Sequence, residues 1–195
     1  VAIFSGVGLV MSKYPSLVIA SHQAAMNFSN LMYAFPLSIS SAMAIIISYE
    51  FGARRMNAVK SYSKLGRLTA LGFSIFTLIF LYFLRYDLAE LYGHEPDFLR
   101  MTAIFMTYSL FFQVADVFAA PLQGILRGYK DTKVPFYLGV LTYWGITLPV
   151  GFLLEKVTGL GPYSYWIGLI TSLIVSGLCY QWRLNRIVKR YESQQ

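Results

Sequence analysis

The sequence predicts an all-α fold: a polytopic transmembrane helix bundle of six spans, the first truncated. Three observations predict it. Hydrophobic residues make up 56% of the 195-residue chain and charged residues 13%, about half the charge that a water-facing surface carries. Mean hydropathy is +0.54. The charges are spaced so that the stretches between them match a bilayer, which asks about 20 apolar residues of a helix. Aromatics, 17% of the chain, exclude disorder.

The elements follow in order. Val1 to Ser12 is apolar but half a span long. Tyr14 to Tyr49 is charge-free and long enough for a loop and one long helix. Leu68 to Leu84 extends backwards, because Lys64 and Arg67 can snorkel. Met101 to Leu126 is interrupted only by Asp116. Val134 to Leu154 and Val157 to Trp182 complete the set. Backbone groups in lipid must be satisfied within the segment, so these spans are helices. Runs such as Ile45-Ile46-Ile47 do not alternate as the strands of a membrane barrel do.

Charge then orients the bundle. Twelve basic residues fall on one side: Arg54, Arg55, Lys60, Lys64 and Arg67; Arg127, Lys130 and Lys133; Arg183, Arg186, Lys189 and Arg190. The other side holds four, with Asp87, Glu90, Glu95, Asp97 and Glu155. The positive-inside rule predicts a multi-pass protein of the plasma (inner) membrane with a cytoplasmic C-terminus. The net charge of +7 belongs to these loops, so no nucleic-acid partner is expected. Tyr163, Tyr165, Trp166, Tyr180 and Trp182 bracket the last span as interfacial aromatics do. The chain opens on Val1 inside an apolar run, with no Met and no basic n-region. That predicts a fragment of something longer, not a signal peptide. Cys179 stands alone, so neither an intrachain disulfide nor a cysteine metal site is expected.

Pro36, Pro121 and Pro149 fall inside spans, where each is read as a static bend or as a hinge. Asp116 is the main chemical signal. An acid near mid-membrane costs about 2.5–3.5 kcal/mol on insertion scales and usually marks an ion or proton pathway; the other reading is a structural Asp paired with a distant cation. Ser109, Gln113 and Asp116 share a helical face at i, i+4 and i+7, with Phe112 one turn before Asp116. Gln23, Asn27 and Asn30 repeat that spacing in the second span. Two polar stripes would line a wetted cavity or, alternatively, bridge helices. Ser61 to Lys64 fits S-x-x-K without its companion motifs, and His22 and His94 are far apart. No nucleophile-base pair, phosphate loop or metal cluster is visible, so an enzyme is not expected.

Gln123-Gly124-Ile125-Leu126-Arg127-Gly128-Tyr129-Lys130-Asp131-Thr132-Lys133-Val134-Pro135 resembles the MATE (multidrug and toxic compound extrusion) family, specifically its bacterial NorM-like members. Thr142 to Gly151 is similar to that family's eleventh helix, and Ala20 to Ser29 to the start of its eighth. The resemblance covers residues 1–195 in order. It implies the C-terminal half, helices seven to twelve, of an inverted V-shaped transporter of twelve helices, whose N-terminal half is the missing partner. It implies export of drugs and other amphipathic or cationic xenobiotics in exchange for Na⁺ or H⁺, with no cofactor beyond that ion. The family's cation-coupling acid in helix ten matches Asp116. NorM-like members often carry Tyr one turn earlier, where Phe112 removes one hydroxyl. The family's Glu early in helix seven would precede Val1. The competing readings are a lipid-linked oligosaccharide flippase of the same superfamily, whose cavity should carry cations, and a non-transporting membrane scaffold subunit.

Overall fold

The computed structural model describes residues 2–192. Over them the chain forms six α-helices: α1 (Ala2–Met11), α2 (Ser16–Gly52), α3 (Met56–Glu90), α4 (Pro96–Gly128), α5 (Lys133–Thr158) and α6 (Tyr163–Glu192). Five are long and apolar enough to cross a membrane, and α1 is the short one. The helices outrun the expected spans. The basic stretch Met56 to Arg67 is not a loop but the first three turns of α3, and the basic tail continues α6 to Glu192. Lys and Arg are good helix formers; their charge ends the apolar band without ending the helix.

Turns stay short because local chemistry closes each helix. Asp131 N–H bonds to Leu126 C=O and Lys130 N–H to Arg127 C=O, with Lys130 at φ 61°. That is a Schellman closure on a left-handed residue. Arg54, at φ 59°, closes α2 the same way through Arg55 N–H to Glu50 C=O. The α2–α3 and α4–α5 turns and the end of α6 make a basic end; the remaining turns make an acidic end.

Helix α4 is the core, packed against α2, α3 and α6. Phe105, Met106, Ile125 and Leu126 on it are fully buried. Helices α2 and α4 run parallel, with contacts that advance together: Ser29 with Ser109, Ser40 with Gly124, Ile47 with Gly128. A Cβ on Gly124 would stand 2.2 Å from the Ser40 carbonyl oxygen, and one on Gly128 would stand 2.5 Å from Ile47 Cβ. The two glycines, four apart, let the backbones touch, as small residues do between membrane helices. Helices α5 and α6 form an antiparallel pair, joined by Thr142 to Ser176 and by Thr147 Oγ1 donating to Ser172 Oγ at 2.9 Å.

Helix α3 packs on α2 and α4 along one face and leaves the other open. Phe73, Ile75, Phe76, Ile79, Phe80 and Phe83 are all exposed along it. So continuous an apolar surface needs lipid or protein against it. The aromatics expected at the interfaces divide. Trp182 is exposed, but Tyr165, Trp166 and Tyr180 are buried in helix contacts, so three of them serve packing instead of a lipid-facing belt. Pro36, Pro121 and Pro149 all lie inside helices that continue past them.

Candidate functional site

Five helices wall a cavity of about 970 Å³. Helix α4 contributes Phe112, Asp116 and Gln123; α2 contributes His22, Gln23, Met26, Asn30 and Tyr33. Ile3 to Leu9 of α1, Tyr143 and Trp144 of α5, and Leu173 and Tyr180 of α6 close the rest. Asp116 is the only acid among the described lining residues, and no Lys or Arg is among them.

The register of α2 on α4 sets the levels. Residues some 80–84 apart in sequence stand side by side, so Tyr33 lies level with Asp116 and His22 level with Phe105. Asp116 is 5% exposed, and among the described residues no hydrogen bond or ion pair holds its carboxylate. Tyr33 and Tyr143 line the same cavity as Asp116. The arrangement is therefore a desolvated carboxylate beside aromatic faces and phenolic hydroxyls, with Phe112 one turn away. Phe112 packs edge-on against Phe4 of α1, ring centroids 5.8 Å apart. Such a wall suits a cation that is both attracted by the carboxylate and stacked on rings.

The polar stripes read from the sequence separate here. Asp116, Phe112, Gln23 and Asn30 meet at the cavity. Ser109 does not line it: fully buried, it bonds Ser29 Oγ at 2.6 Å and joins α2 to α4. Gln113 faces the opposite side, into a small crevice with Met32, Pro36, Ala70 and Thr77, where both of its amide atoms are buried without a partner. Asn27 is exposed and lines a shallow groove with Ala20, Ala24, Tyr92 and Phe98. A step of four and then three residues turns a helix enough to send neighbours of one broad face to different partners. Tyr33, Tyr143 and Tyr180 were not legible as site residues, because tyrosine in an apolar span carries no distinguishing signal. Their common placement comes from three different helices.

The Arg127–Lys133 segment does structural work at the basic end. Arg127 Nη2 donates to Ser40 Oγ at 2.8 Å, and Arg183 Nε donates to Asp131 at 2.6 Å. One turn thus fastens α4 to α2 and to α6. At the acidic end Glu155 accepts from Lys13 Nζ at 2.6 Å, from Tyr165 at 2.6 Å and from Tyr14. This fastens the α1–α2 turn to α5 and α6.

A multi-pass membrane bundle built around a cavity with a single carboxylate defines the class. The family model described as MatE matches residues 3–153, and the chain belongs to the MatE family. It is 66% identical over 193 residues to the probable multidrug resistance protein NorM of Streptococcus pneumoniae strain R6, and 45% identical over 194 residues to that of Bacillus subtilis strain 168. These alignments take in 99% and 100% of this chain and 43% of each relative, so the chain spans less than half the length of the curated relatives it matches. The crystal structure of the eukaryotic MATE transporter AtDTX14 superposes with a TM-score of 0.86 at 17% identity, over 93% of this chain and 41% of that one. An inward-facing multidrug resistance MATE family transporter superposes with a TM-score of 0.76 at 14% identity, over 92% and 44%. Those two likenesses establish the fold.

Proposed function

We propose that this chain is the helix seven to twelve half of a cation-coupled multidrug exporter, and that Asp116 is the residue at which the coupling ion and a cationic substrate compete. The observation that carries the reading is the Asp116 carboxylate on the wall of the cavity, without a partner among the described residues, with Tyr33 and Tyr143 on the same wall. A carboxylate that holds Na⁺ or H⁺, or an organic cation, but not both, couples opposite fluxes by exclusion. The driving force is ample, since one charge falling through 100 mV yields about 2.3 kcal/mol. The cavity volume is at the upper end of the range for small-molecule sites. The basic end faces the cytoplasm in this reading, and the other half of the transporter closes the cavity.

The experiment is Asp116→Asn in the complete open reading frame that encodes this chain, expressed in a drug-sensitive host. Resistance to cationic dyes is lost while the protein reaches the membrane at its usual level. Unchanged resistance at equal expression would overturn the reading. A flippase for a pyrophosphate-linked lipid would need cationic side chains around its cavity, and the described lining has no Lys or Arg.

A further inference from the structure

His22 sits in the same cavity, well away from Asp116. It is level with Phe105, and 11 residues of α4 separate Phe105 from Asp116, which puts the two sites about 16 Å apart along the helix axis. His22 is 1% exposed, yet it lines the cavity. Its ring is wedged edge-on against Phe105 and Trp166, with centroids 5.9 Å from each. Trp166 Nε1 donates to His22 Nδ1 at 3.1 Å. An indole N–H can only donate, so Nδ1 must present its lone pair, and a neutral imidazole then carries its proton on Nε2. A protonated ring would set two N–H groups head to head. Trp166 therefore fixes both the tautomer and the plane of His22. Among the described residues, Nε2–H has no acceptor.

We propose that His22 is a second recognition residue of the cavity: its Nε2–H, held by Trp166, donates to a carbonyl, ester or carboxylate oxygen on a ligand whose cationic end lies at Asp116. Trp166 is the positioning residue. The inference rests on the reading of the cavity as an organic-cation site. It narrows the substrate class to elongated cations with a hydrogen-bond acceptor remote from the charge. A cation without an acceptor is bound by Asp116 and the aromatic wall alone, and ignores His22.

The test uses equilibrium binding to the purified product of the complete open reading frame, with two probes. Tetraphenylphosphonium has charge and rings but no acceptor; the methyl ester of 11-(triphenylphosphonio)undecanoic acid has charge, rings and an acceptor at the far end of a long methylene chain. His22→Phe is expected to weaken the phosphonium ester about tenfold, the effect of losing one buried hydrogen bond and stranding its partner. Tetraphenylphosphonium binding changes less than about twofold. His22→Gln, which can accept from Trp166 and still donate, restores most of the ester's affinity. Trp166→Phe leaves His22 in place with its tautomer free, and weakens the phosphonium ester alone. Equal losses for both probes would reduce His22 to a packing residue, and no loss for either would remove it from the site; both results overturn the proposal. Failure of the unsubstituted protein to bind either probe would instead overturn the organic-cation reading on which this one stands.

Discussion

Two sets of polar residues lie inside the apolar band, and they behave in opposite ways. Across the α2–α4 and α5–α6 seams polar groups meet in pairs within the chain: Ser29 with Ser109, Thr142 with Ser176, Thr147 with Ser172. On the cavity wall Asp116 has no such partner among the described residues. The seams are the more numerous, but a hydrogen bond between membrane helices is worth only about 0.6 kcal/mol on average. An unpaired carboxylate in the same medium costs several times that. A polar group that is paired within the bundle contributes to its assembly. In the proposed reading Asp116, ionisable and facing the cavity, is kept for a partner that arrives from outside.

Substitutions can break that contrast or sharpen it. The largest effect is expected from Asp116→Asn, which keeps size and hydrogen bonding but removes the charge: transport falls by at least about a hundredfold, with membrane levels unchanged. Next is Gly124→Val on the seam side. Its branches would overlap the Ser40 carbonyl, and the α2–α4 contact opens at a cost of about 2–3 kcal/mol, seen as a lower Tm and reduced yield in the membrane. Thr147→Val removes one paired hydroxyl and lowers stability by about 0.6 kcal/mol, with transport intact. Ser109→Ala has a similarly small cost. It is informative because Ser109 shares a sequence stripe with Asp116 yet belongs to the seam, so unaltered transport separates the two. Lys13→Ala, at a half-exposed ion pair with Glu155, is expected to change stability by at most about 1 kcal/mol.

Much of this was legible in the sequence. The length of the apolar bands and the placement of the charges specify the number of spans. The prominence of Asp116 follows from its being the one acid inside a span. The helix ends were less legible, because Lys60, Lys64 and Arg67 mark the limit of the apolar band while α3 begins at Met56. The division of the polar stripe was not legible either. Ser109, Gln113 and Asp116 share one broad face, and which neighbour each meets depends on how α2 and α3 pack around α4. The α2 contact depends on Gly124 and Gly128, whose role is visible only when the Ser40 backbone and the Ile47 side chain are seen against them. The Trp166–His22 pair joins residues 144 apart, a juxtaposition that no local pattern encodes.

The central claim is that one carboxylate serves both the ion and the substrate. Its most direct test is equilibrium binding of tetraphenylphosphonium to the complete, purified protein while Na⁺ is raised or pH is lowered, with and without Asp116→Asn. The account predicts that at least one of the two ions displaces the probe from the unsubstituted protein, and that the variant binds weakly and responds to neither. A variant that keeps full affinity and the same sensitivity to Na⁺ or H⁺ would contradict it.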